Sequence, residues 1–142
     1  MIRAARPEDA PSLARLLGEL LPRPTNPDKL RVTLAKLSDD PQYHVLVHEE
    51  ESGELTGTVF AVISEDIGGE GRPFMVMDNL VVAARARGQG VATALMEELE
   101  NIARARDCAL IMMVSGEQRT EAHHLYDRLG YTVPVRGFKK YL

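Results

Sequence analysis

From position 10 onward apolar residues recur every three to four positions: Ala10, Leu13, Leu16, Leu17, Leu20 and Leu21 share one helical face. Pro7 suits the first position of that helix, and Glu8 and Asp9 sit where the positive end of the helix dipole favours acids. Pro22-Arg23-Pro24 stops it. Asn26 and Pro27 then offer a cap and a first position for a second helix, with Leu30, Leu34 and Leu37 on one face and Asp39-Asp40-Pro41 at its end. Residues 2–5 read as a short strand. Residues 44–48 and 55–63 read as two strands joined by the turn Glu49-Glu50-Glu51-Ser52-Gly53. Residues 64–73, with Gly68, Gly69 and Gly71, read as a mobile loop, and residues 74–82 as the central strand. Val91, Leu95, Leu99 and Ile102 stripe another helix, with Glu100 and Arg104 paired on its wet side. Residues 110–114 are apolar enough to predict a fully buried parallel strand. Residues 120–129 predict a helix stopped by Gly130, and residues 131–135 and 138–141 a closing hairpin around Arg136-Gly137. The order β-α-α-β-β-β-α-β-α-β-β predicts a mixed α/β (α+β) sheet protein.

The 142 residues suit one domain, 1–142, with no repeat, linker or low-complexity tract. The apolar runs are far too short for a membrane span, and residues 1–9 lack the apolar core of a signal peptide. A net charge of −4 argues against a nucleic-acid partner and for a cationic substrate. The one cysteine, Cys108, excludes an internal disulfide and suits a reducing cytoplasm; it opens an apolar strand pattern, which favours a buried thiol over a nucleophile. His44 and His48 show no ligand spacing with Cys108, so no metal site is expected.

The segment with most chemistry in it is Leu80-Val81-Val82-Ala83-Ala84-Arg85-Ala86-Arg87-Gly88-Gln89-Gly90-Val91-Ala92. A β-rich run ends in a turn with two arginines and two glycines, and a helix follows at once. Free N–H groups and the positive end of the helix dipole make that junction an anion site. Gly88 and Gly90 let the backbone approach a phosphate with no Cβ in the way. The P-loop is excluded, because no Lys-Ser/Thr follows these glycines. The dinucleotide fingerprint is weak: only its first two glycines are present, and no acid closes the next strand at Val114-Ser115.

The loop reads Arg85-x-x-Gly88-x-Gly90, which resembles the Q/R-x-x-G-x-G/A acetyl-CoA motif of the GNAT superfamily of N-acetyltransferases. A second block, Ala122-His123-His124-Leu125-Tyr126-Asp127-Arg128-Leu129-Gly130-Tyr131, is similar to that family's A-x-x-F-Y-x-x-x-G-F segment, with Leu125 and Tyr131 as mild substitutions. The two blocks stand in the family's order and leave room for one helix and one strand between them. The resemblance covers nearly the whole chain. It implies a mostly antiparallel sheet of six to seven strands flanked by four helices, with a splayed parallel strand pair that holds the co-substrate acetyl-CoA. Carried over residue by residue, Leu80, Val81 and Val82 would hold pantetheine and the acetyl carbonyl. Arg87, Gly88, Gln89, Gly90, Val91 and Ala92, with Thr93 close by, would cradle the pyrophosphate. Arg85 would support the loop or meet a phosphate.

The implied activity is acetyl transfer to a primary amine of a small molecule. That reaction needs a neutral amine close to the thioester carbon, a proton for the leaving thiolate and a donor to the oxyanion. Tyr126 matches the family tyrosine near the sulfur and is the expected acid. Asp78, which with Asn79 is expected to alternate across the central strand, is the first choice of base, directly or through water; His123 and His124 are the other candidates. The family often has Asn where Arg119 stands here, so that contact with CoA is either replaced or missing. Glu65, Asp66 and Glu70 would attract a cationic acceptor, whereas Arg119, Arg136, Lys139 and Lys140 would receive an acidic one. A protein or peptide amine, a catalytically silent CoA-binding sensory domain and a different nucleotide-binding domain are the competing readings. The apolar ending of the chain, residues 138–142, would allow a homodimer.

Overall fold

A computed structural model describes residues 1–116 and 119–142. It forms two compact units, Met1–Met112 and Met113–Leu142, which are described in turn.

The first unit is a five-stranded sheet with three helices. Strands β1 (Ile2–Ala4), β2 (Tyr43–Glu49), β3 (Leu55–Ser64), β4 (Phe74–Val82) and β5 (Ile111–Met112) lie in sequential order. The first three pairings are antiparallel and β4–β5 is parallel. Helix α1 (Ala10–Gly18) follows a 3-10 turn, Pro7–Asp9, and α2 (Pro27–Ser38) follows it. Asn26 caps α2 as expected: its side-chain oxygen accepts from the N–H groups of Asp28 and Lys29, both at 3.0 Å. Helix α1 stops at Gly18, short of the predicted Leu21, because glycine is a poor helix former and Pro22 biases Leu21 away from helical angles. Arg3 ties this end of the sheet together, bonding both carboxylate oxygens of Asp9 and, through Nε, Glu49 at 2.6 Å. One core joins Ala10, Leu13 and Leu16 of α1 and Leu34 of α2 to Val47, Leu55 and Val81 of the sheet.

Helix α3 (Val91–Ala105) carries the expected stripe: Val91, Leu95 and Leu99 are buried and Ile102 half-buried. Glu100 and Arg104 form the predicted ion pair at 2.9 Å. Gly57 of β3 sets how closely α3 lies on the sheet. A Cβ built there would stand 2.7 Å from Val91 Cγ1 and 3.1 Å from Leu95 Cδ1. Val91 is β-branched and cannot swing aside easily. Gly57→Val is expected to lower unfolding stability by about 2–3 kcal/mol through overpacking, measured by urea denaturation; an unchanged midpoint would mean that α3 can shift freely.

Three expectations are corrected. Residues 110–114 are not a fully buried strand: only Ile111 and Met112 pair with β4, and Leu110 and Met112 are 49% and 42% exposed. β5 is the edge of the sheet of the described residues, so its apolar run has a neighbour on one side only. The sheet has five strands among the described residues, not six to seven. In the second unit, helix α4 (Thr120–Arg128) forms where expected, but residues 131–141 form no hairpin. Pro134 offers no N–H to a ladder, and Val133, Val135, Phe138 and Tyr141 are exposed. The segment touches back locally: the Tyr131 N–H bonds the Tyr126 carbonyl at 2.9 Å, and a Cβ at Gly137 would meet Val114 Cγ1 at 2.7 Å.

Candidate active site

β4 has the predicted bounds but not the predicted regularity. Thr58 pairs with Val81 and Phe60 with Asp78, so Val59 faces two residues, Asn79 and Leu80. This is a β-bulge, and Asn79 takes the left-handed conformation there, with φ 53°. Asparagine is among the few residues other than glycine that adopt it readily. The Asn79 N–H donates to its neighbour's carboxylate, Asp78 Oδ1, at 2.7 Å. Asp78 and Asn79 therefore do not simply alternate across the strand. Asp78 stays exposed, while the two residues after Asn79, Leu80 and Val81, are both 6% exposed. Side chains of Leu80 and Val81 thus anchor the strand, and what this stretch offers a ligand is its backbone. Within the first unit, the β5 pairing covers only Met75 and Val76. From Met77 onward that side of β4 has no strand register with β5, which leaves an edge of the kind that an extended ligand can pair with.

β4 leads into a 3-10 turn, Ala84–Ala86, and then into α3. Gly88 (φ 73°) and Gly90 (φ 83°) both take the left-handed conformation, and a Cβ on either would meet nothing within 4 Å. Gly90 is the N-cap of α3 and no side chain caps the helix. The first-turn N–H groups of Val91, Ala92 and Thr93 therefore have no capping side chain, as an anion cradle requires. Gln89 is turned to the loop itself, its Nε2 donating to the Arg85 carbonyl at 3.0 Å.

The two arginines of the loop are engaged by groups elsewhere in the fold. Arg85 is paired with Glu50 at 3.0 Å and Glu54 at 2.9 Å, on either side of the β2–β3 turn, and those hydrogen bonds, Glu50 first, hold its guanidinium above its ordinary pKa. Arg85 thereby links the loop to the β2–β3 turn. Arg87 folds back, donating from Nε to the Val82 carbonyl at 3.1 Å and lying 3.4 Å from Glu19. Its side chain braces the loop. Glu19, Glu50, Glu54 and the Asn79 bulge escaped the sequence reading. The carboxylates lie 31 to 68 residues from their partners, but an Asp-Asn pair inside an apolar strand was a usable sign of the bulge.

Tyr126 lies in the second unit, on α4. It is 7% exposed, and its ring stands edge-on to Tyr131, with centroids 6.3 Å apart. His123 is half-buried and His124 exposed on the same helix. Arg119 is the N-cap residue of α4 but makes no side-chain cap; its N–H bonds the Gly116 carbonyl. Cys108 is half-buried, and burial pushes its thiol pKa up, away from the thiolate form a nucleophile needs. Among the described residues no three His, Cys, Asp or Glu side chains gather to hold a metal ion, and no helix is long and apolar enough to cross a membrane.

Comparison with known proteins gives this geometry a context. Residues 10–131 match the acetyltransferase (GNAT) family. An acetyltransferase from Trypanosoma brucei shares 23% identity at a TM-score of 0.87, over 100% of this chain and 99% of that one. A transcriptional regulator from Bacillus halodurans C-125 shares 21% at a TM-score of 0.91, over 100% and 99%. Glucosamine-6-phosphate N-acetyltransferase from Arabidopsis thaliana shares 21% at 0.85, over 99% and 97%. At such identities these structures establish the fold. The family match is what reaches further: it runs from the start of α1 through the bulged strand and the glycine loop to Tyr131, and on that ground the chain belongs to the GNAT family of acetyltransferases, whose usual acetyl donor is acetyl-CoA.

Proposed function

We propose that this protein transfers the acetyl group of acetyl-CoA to a primary amine of a small molecule by direct attack of the amine on the thioester. The observation that carries the reading is the pair of left-handed glycines, Gly88 and Gly90, before an uncapped α3 at the end of a bulged β4, in a chain of this family. Bound acetyl-CoA would supply an activated acyl carbon. The backbone of Leu80, Val81 and Val82 would hold its pantetheine arm. The N–H groups from Gly88 to Thr93 would hold its pyrophosphate.

The amine must arrive neutral, and it loses a second proton as the C–N bond forms. Asp78 is assigned the base: it is an exposed carboxylate beside the bulge, able to pass protons to solvent. Its Oδ1 accepts from Asn79, which holds the side chain to one orientation. Tyr126 is assigned the acid that returns a proton to the leaving sulfur. For the acceptor, the acidic segment favours a cation: Glu65, Asp66 and Glu70 are all exposed between β3 and β4, in a chain of net charge −4.

The test is release of free thiol from acetyl-CoA against polyamines, aminoglycosides, amino acids, aminophosphonates and short peptides. Release that depends on one class of small amine is expected. Release with peptides alone moves the function to protein acetylation, and CoA binding with no release moves it to a silent sensory domain. In the same assay Asp78→Asn is expected to lower kcat/KM by about a hundredfold; unchanged kcat/KM excludes Asp78 as the base.

A further inference from the structure

Glu19 directly follows α1, and its backbone N–H bonds the carbonyls of Leu16 and Leu17. A carboxylate there meets the negative end of the helix dipole, where a cation would serve the helix better. Its placement is explained by what it reaches. Its Oε2 accepts from the Ala84 N–H at 3.1 Å and lies 3.4 Å from Arg87 Nη2. Arg87 Nε in turn donates to the Val82 carbonyl at 3.1 Å. One carboxylate from a distant helix end therefore joins the last residue of β4, the first residue of the 3-10 turn and the residue just before Gly88.

The Glu19 and Arg87 side chains are 38% and 54% exposed, and ion pairs so placed contribute little to global stability. We infer that Glu19 is a positioning residue for the acetyl donor: it fixes the entry to the glycine loop, and so the direction in which the N–H groups from Gly88 to Thr93 face the pyrophosphate. The inference rests on the acetyl-CoA reading of the same loop.

The experiment compares the full-length protein with Glu19→Ala, Glu19→Gln, Arg87→Ala and the Glu19→Ala/Arg87→Ala double variant. Free CoA is titrated by calorimetry, acetyl transfer is followed at steady state, and amide exchange is read at Ala84. Glu19→Ala is expected to raise the Kd for CoA and the KM for acetyl-CoA about five- to tenfold while kcat moves by less than about twofold. Exchange at Ala84 accelerates, and the melting temperature stays near that of the parent. Glu19→Gln, whose amide oxygen still accepts from Ala84, restores most of the affinity. The double variant is weaker than Glu19→Ala by less than the separate effect of Arg87→Ala, because the two side chains act through one contact. Unchanged CoA affinity in Glu19→Ala overturns the inference, as does a loss confined to kcat. Wild-type protein that binds CoA yet acetylates no amine overturns the transferase reading alone, and the Kd series then decides for Glu19. Wild-type protein that binds no CoA overturns both.

Discussion

Tyr126→Phe is expected to lower kcat by about a hundredfold, within the range that a positioned acid supplies, and to leave KM for acetyl-CoA nearly unchanged. The substitution keeps the ring, so the edge-on contact with Tyr131 and the burial of the ring at position 126 persist. Only the hydroxyl is lost, with a cost to folding of about 1 kcal/mol. A fall in kcat with the fold intact therefore isolates the proton. If the tyrosine protonates the sulfur, the loss is also largest for acetyl-CoA and smaller for an acyl donor whose leaving thiol is more acidic. Steady-state kinetics with both donors, beside thermal melts, decide the matter. Unchanged turnover removes Tyr126 from the mechanism and leaves it a packed aromatic.

Gly90→Val is expected to weaken CoA binding by about a hundredfold, a figure set by the two or three backbone hydrogen bonds it would obstruct. The argument separates strain from obstruction. At φ 83° any side chain is strained, and the left-handed region costs an L-residue about 1–2 kcal/mol. The added Cβ meets no protein atom within 4 Å, and a side chain on the N-cap residue is expected to crowd an anion approaching the α3 N–H groups. Gly69→Val is the matched control: it too has positive φ, 54°, and open space around its Cβ, but it lies between β3 and β4. It should lose comparable stability and keep its affinity for CoA. Equal loss of affinity in both variants would mean that strain, and not the cradle, is being measured.

What the sequence disclosed and what it hid divide along the range of the interactions. Local signals were legible. The Asn26 cap, the α3 stripe and the Glu100–Arg104 pair are all written within one or two helical turns, and all form. The glycine loop was legible for the same reason, since backbone freedom is a property of the residue itself. The ion pairs of Arg85 and Arg87 were not, because their partners Glu50, Glu54 and Glu19 come from other elements and only the fold brings them near. The bulge at Asn79 hid inside an apolar run whose length fitted a regular strand. Residues 131–141 show the converse error. Their apolar alternation is real, but alternation describes a surface and does not supply a neighbouring strand.

Gly57 has a thermodynamic consequence. Because Val91 and Leu95 pack against it with no room for a side chain, the head of α3 takes its position from β3, a strand with partners on both sides, as well as from the loop that precedes it. The N–H groups there are oriented before any ligand arrives. An anion bound by such a floor forfeits little chain entropy, so its association should release heat with only a small opposing entropy, the signature of a mould and not of a hand closing.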